Sequence, residues 1–128
     1  MQNALLITFH DLPHDEDIEA VIGEKFEKLK NIIGEVTKCH VVLEKLSKHH
    51  HKGNLACARL DLKVSHFDDI VITEKCTEDA ASLKSAVIKI FKRAQILAKE
   101  EIKRRQDAHR VGNLKAAAME TETVEAED

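Results

Sequence analysis

Apolar residues recur along this chain with two different periods, and the switches between them mark out six elements. Leu5 to Phe9 is a short apolar run that reads as a strand. Pro13, in Asp11-Leu-Pro-His, ends it, because proline has no N–H to give a ladder. Asp15, Glu16 and Asp17 then place negative charge where a helix N-terminus favours it. Ile18, Val21, Ile22, Phe26, Leu29 and Ile33 follow at helical spacing, and Gly34 stands where a helix is capped. Lys38 to Leu46 reads as a strand centred on Val41-Val42-Leu43, followed by the polar turn Lys48-His-His-His-Lys-Gly-Asn. From Leu55 to Val64 the alternation is strict: Ala56, Ala58, Leu60, Leu62 and Val64 on one side, Cys57, Arg59, Asp61 and Lys63 on the other. His66-Phe67-Asp68-Asp69 turns the chain into a strand from Ile70 to Lys75. Thr77, Glu78 and Asp79 open a long helix with an apolar stripe of Leu83, Val87, Ile90, Phe91, Ala94, Leu97, Ala98 and Ile102.

The order strand, helix, strand, strand, strand, helix implies an α+β fold. We expect a two-layer β-α-β-β-β-α sandwich, a four-stranded mixed sheet with both helices on one face. The first crossover passes through a helix, so strands one and two should be parallel and the later strands hairpins. The alternating strand leaves the other sheet face wet or free to meet a partner. The length fits one domain over residues 1–112, with residues 113–128 an acidic tail expected to be disordered.

Charge sharpens this picture. The net charge is −3 over the whole chain, but it is segregated. Residues 84–115 hold ten basic residues and three acidic ones, whereas residues 116–128 hold five acidic residues and no basic one. A helix with a basic outer face can bind a polyanion locally even in a net acidic chain. The same lysines and arginines also suit an ordinary solvated helix face.

Other chemistry is poorly supplied. The N-terminus lacks a basic region followed by a long apolar run, and no stretch has the length of a membrane span, so neither a signal peptide nor a membrane contact is expected. Three widely spaced cysteines, Cys39, Cys57 and Cys76, suit a reduced cytoplasmic protein. Strand parity sets Cys39 with Val41 and Leu43 but Cys57 against the apolar set, so the two thiols should lie on opposite sheet faces. His49, His50 and His51 lack the paired spacing of a structural metal site, and a polar turn is the better reading. No metal and no cofactor are expected. Asp68-Asp69 reads as a turn pair, the glycines are isolated, and no arrangement of a nucleophilic cysteine with a base and an oxyanion pocket is found, so the chain does not read as an enzyme. Aromatic content of 3% argues against base-stacking platforms.

Lys25-Phe26-Glu27-Lys28-Leu29, the Val41-Val42-Leu43 strand, Lys89-Ile90 followed by Lys92 and Arg93, and the order of elements resemble the ribosome hibernation factors, also labelled sigma-54 modulation proteins. The resemblance covers about residues 4–106, in the short form of the family. Ala80 stands where the family usually has a tyrosine. The resemblance implies a cytoplasmic, non-enzymatic factor for stress or stationary phase. Such a factor binds the small ribosomal subunit and its ribosomal RNA between head and body, covers the messenger and transfer RNA sites, binds no DNA, and is monomeric off the ribosome. The residues expected to meet RNA are Lys25 and Lys28 in the first helix, and Lys89, Lys92, Arg93, Lys99, Lys103, Arg104 and Arg105 in the second. The competing expectation is a non-ribosomal protein-docking adaptor that uses the basic helix and is autoinhibited by the acidic tail.

Overall fold

Six elements follow one another in the computed structural model, which describes residues 4–46 and 55–118 and side chains as far as Ala108. They are β1 (Leu5–His10), α1 (Glu16–Ile33), β2 (Val36–Lys45), β3 (Leu55–Val64), β4 (Ile70–Thr77) and α2 (Ala80–Ala118). The sheet order is β1-β2-β3-β4. β1 runs parallel to β2, while β2–β3 and β3–β4 are antiparallel, as the helical crossover and the two hairpins require. β2 begins two residues before the expected Lys38, where a register shift lies between Val36 and Lys38. His49, His50, His51 and the chain beyond residue 118 lie outside the described residues.

Local chemistry sets the helix ends. Asp15 caps α1: its Oδ1 accepts hydrogen bonds from the backbone N–H of Asp17 (2.9 Å) and Ile18 (3.1 Å). Gly34 adopts φ 94° and donates its N–H to the Lys30 carbonyl at 2.7 Å, closing the helix in a conformation that glycine tolerates best. At α2, the Ser82 N–H donates to Asp79 Oδ2 at 3.1 Å, and Ser82 Oγ accepts from the Thr77 N–H at 3.0 Å. The Thr77 hydroxyl donates to the Asp79 carboxylate as well. These bonds hold the Asp79 carboxyl below the usual carboxylate range, the Thr77 bond most.

Register puts the apolar rows under the helices. Leu60 lies opposite Val41 on one side and Ile72 on the other, and Cys39 lies opposite Leu5 and Leu62. These side chains meet Ile18, Ile22, Phe26 and Leu29 of α1 and Leu83, Val87, Ile90 and Phe91 of α2 in one core. Both helices therefore cover the same sheet face. Cys39 is fully buried there, whereas Cys57 sits half-buried opposite Glu44 and Lys75 on the open face.

The expected α2 stripe is interrupted. Leu97 is 42% exposed and Ile102 is half-buried. Past Ala98 the positions in line with Ala94 are Glu101, which is half-buried, and Arg105, which is exposed and lies over the Phe67 ring in the turn between β3 and β4. α2 crosses the expected boundary after residue 112 without a break, and its backbone stays helical to Ala118.

Candidate nucleic-acid interface

The basic residues of α2 divide by helix geometry. Lys92, Lys99 and Lys103 return to one face within about 40° of each other at 100° per residue. That face lies opposite Ile90 and Ala94, which are fully buried. All three lysines are exposed, and none forms an ion pair among the described residues. Ile96, 51% exposed, sits within the same row, and Ile88, 43% exposed, borders it. The result is a row of free ammonium groups with short apolar interruptions, on the outer side of the helical layer.

The other candidates are placed differently. Lys89 approaches Glu74 of β4 at 3.8 Å, so it leans toward the sheet edge. Arg93, one helical turn later, is exposed on that same flank. Arg104 and Arg105 both pair with Glu101, whose side chain is only 16% exposed; Arg105 Nε lies 3.2 Å from it. The Arg105 guanidinium also lies over the Phe67 ring, 5.3 Å from its centroid. On α1, Lys25 is half-buried between the core positions Ile22 and Leu29, and Lys28 is exposed. Around Lys28 the exposed surface of α1 also carries Glu24 and Glu27, so its sign is mixed. Positive charge is thus concentrated on the outer row of α2.

Two sets of pairings are not visible in the apolar and basic periodicity alone. Glu101 and Phe67 claim Arg104 and Arg105, and Glu74 claims Lys89. The spacing of Glu101 three and four residues before the arginines signals the first pairing; nothing local signals the contacts to β4 or to the turn. The open sheet face was legible in the β3 alternation. It carries Arg59, Asp61 and Lys63, with Lys63 Nζ 2.8 Å from Asp69. That contact, first through the hydrogen bond and then through the charge, raises the Lys63 ammonium above its ordinary pKa. His40, on the same face, shares a 2.9 Å hydrogen bond with the Thr8 hydroxyl. Burial, then the charges of Lys38 and Arg59, push its imidazole below its ordinary pKa.

The thiols are poorly suited to nucleophilic work. Burial, helped by Asp61, pushes the Cys39 thiol up to about 12, and burial pushes Cys76 up to about 11. Burial also raises Cys57. A thiolate is the reactive form, so all three are shifted away from reactivity. Among the described residues, no three His, Cys, Asp or Glu side chains converge as metal ligands would. No helix among the described residues is long and apolar enough to cross a membrane.

Comparison with known proteins gives a consistent answer. A family model described as Sigma 54 modulation protein / S30EA ribosomal protein matches residues 5–107. A sequence comparison with curated proteins gives no match. Among solved structures, the chain is similar to a ribosomal subunit interface protein from Coxiella burnetii, with a TM-score of 0.58 and 9% identity, covering 75% of this chain and 93% of that one. It is also similar to the Thermus thermophilus Protein Y N-terminal domain, with a TM-score of 0.57 and 19% identity, covering 77% of this chain and 98% of that one. At these identities the structural likeness concerns the fold.

Proposed function

Since the chain belongs to the Sigma 54 modulation protein / S30EA ribosomal protein family, we propose that it is a ribosome-binding factor that holds the ribosome inactive. In this reading it seats itself on the small subunit between head and body, covers the messenger and transfer RNA sites, and acts in the cytoplasm under stress or in stationary phase. It works as a monomer, by occupancy and not by catalysis.

The observation that carries this reading is the outer row of α2: Lys92, Lys99 and Lys103, exposed and unpaired among the described residues. An ammonium without a protein partner is free to meet phosphate. Such contacts give affinity and orientation without reading sequence. Arg93, Lys28 and Lys25 extend the positive surface at its margins. Lys89, Arg104 and Arg105 have carboxylate partners already and contribute less. The rigid two-layer sandwich supplies a fixed shape, so a cleft in structured RNA can select it without base contacts.

The test is competition on purified small subunits. The protein should co-sediment with them and displace fluorescent messenger RNA and transfer RNA in proportion to its own binding. Simultaneous binding of protein, messenger and transfer RNA would refute the occlusion reading. Absence of co-sedimentation would refute ribosome binding itself and favour a protein-docking role for the basic helix.

A further inference from the structure

Five residues of α2 share its outermost arc. At 100° per residue, Ile88, Lys92, Ile96, Lys99 and Lys103 fall within about 80° of one another. They lie on the side opposite the buried Ile90 and Ala94. The row runs for about 22 Å at 1.5 Å per residue, and no acidic residue enters the arc along it. Its three lysines are exposed and have no ion-pair partner among the described residues. Ile88 is 43% exposed and Ile96 51%. Neither packing nor propensity accounts for this pair. Both stand outside the core cluster, and on a solvated helix face a β-branched side chain is a poorer helix former than lysine or alanine. One exposed aliphatic residue would be ordinary. Two of them, interleaved with unpaired ammonium groups on one arc, make a surface that is cationic and apolar at once. No aromatic ring joins it: Phe26 and Phe91 are buried, and Phe9 and Phe67 pack against the core.

We propose that Ile88 and Ile96 are binding residues, which pack on the ribose carbons of an RNA helix while Lys92, Lys99 and Lys103 meet its phosphates. The proposal rests on the ribosome reading and adds the form of RNA that the row takes and a second kind of contact. Charge sets the class of partner: unpaired ammonium groups with no carboxylate among them favour a polyanion. The missing aromatic rings select its form. A single strand is held largely by stacking its bases on such rings, and this face has none. An RNA helix keeps its bases stacked and presents a wide, shallow minor groove lined by sugars beside the phosphate backbone. A straight row of lysines with isoleucines between them has the same alternation of charge and carbon. The two contacts differ in their response to salt. Each phosphate contact releases counterions and weakens as salt rises. Covering an aliphatic side chain releases no ion, so its contribution persists at every salt concentration. The isoleucines therefore separate RNA from a bare polyanion, which the lysines alone would bind equally well.

The test compares the full chain with I88A/I96A, I88L/I96L and K92Q/K99Q over a salt series. The probes are an RNA hairpin, an unstructured single strand of equal length, and inorganic polyphosphate. Alanine is the best helix former, so I88A/I96A keeps the helix and loses only aliphatic surface. It should bind the hairpin about tenfold more weakly at every salt concentration, with the log–log slope unchanged. It should bind polyphosphate as tightly as the parent chain. I88L/I96L, which restores the aliphatic surface, should stay close to the parent on all probes. K92Q/K99Q should lower the slope by about two units. The parent should prefer the hairpin to the single strand. Unchanged hairpin affinity in I88A/I96A, an equal loss on polyphosphate, or preference for the single strand would each overturn the proposal. Co-sedimentation with small subunits separates the two readings. If the parent and I88A/I96A bind subunits equally well, the apolar contact is refuted and ribosome binding stands. If the parent binds the hairpin as expected but no subunits, ribosome binding is refuted and the apolar contact to RNA stands.

Discussion

Arg105 lies over the Phe67 ring and within 3.2 Å of the Glu101 carboxylate, so its guanidinium is committed to the protein itself. Lys99, six positions earlier, has no ion-pair partner among the described residues. Arg105→Gln should therefore cost about 0.5–1 kcal/mol of stability, the scale of an exposed cation–π contact, with little loss of ribosome binding. Lys99→Glu should do the reverse. Thermal melting and co-sedimentation of the two variants decide it; equal loss of binding in both would mean that Arg105 leaves the ring to meet RNA. Cys39 makes a second residue-scale prediction. Its pKa is raised from 9.0 to about 12 by burial and by Asp61, so the native state keeps the proton that the unfolded state releases first. Its contribution to stability is then complete below pH 9 and declines as pH rises from 9 toward 12. Urea midpoints above pH 9 should fall less steeply in Cys39→Ala than in the parent chain. Thiol labelling of the native protein should reach Cys57 first and Cys39 only on unfolding, in keeping with their positions on opposite sheet faces.

At the scale of elements, the helices are held by their ends as much as by their faces. Gly34 sits at φ 94°, and a Cβ there would meet nothing within 4 Å. Gly34→Ala should still destabilise by about 1 kcal/mol, since the cost is backbone strain and not a clash. A neutral result in denaturant titration would show that the α1–β2 connection relaxes to another conformation. On α2 the charged faces separate cleanly enough to test. Lys92→Glu with Lys99→Glu reverses the outer row and should abolish small-subunit binding while leaving the melting temperature nearly unchanged, because exposed substitutions remove no packing. Lys89→Glu with Arg93→Glu is the informative contrast. It opposes Glu74 with a second carboxylate across 3.8 Å, so it should weaken binding less and stability more. If the Lys89/Arg93 pair proves the more damaging for binding, the RNA-facing side of α2 is the flank toward β4.

For the whole molecule, the segregation of charge predicts how binding responds to salt. Releasing counterions from phosphate gives a log–log slope of roughly one unit per contact, so affinity for small subunits should fall steeply as salt rises. Residues 119–128 contain Glu120, Glu122, Glu125, Glu127 and Asp128 and no basic residue. Deleting them removes negative charge that competes with phosphate for the basic helix. The truncated chain should bind modestly tighter, with the difference largest at low salt and vanishing as screening sets in. Weaker binding after truncation would show that the acidic segment makes its own contacts on the ribosome.

What the sequence by itself determined was the set of elements and the face each would bury. The strict alternation of β3 dictated one buried and one open side, because successive strand side chains point to opposite faces. The helical spacing of Ile18, Ile22, Phe26 and Leu29 dictated the inner stripe of α1. One helical crossover followed by two short connections then sufficed for the sheet order and the two-layer architecture. The basic character of α2 was equally visible, but its division was not. Which lysines remain free depends on Glu74 and Phe67, which are distant from Lys89 and Arg105 in sequence and meet them only when α2 lies across β4 and the preceding turn. For the same reason Leu97 looked like core and became exposed surface: helical periodicity states which residues share a face, while only the packed sheet decides how far along the helix that face is covered.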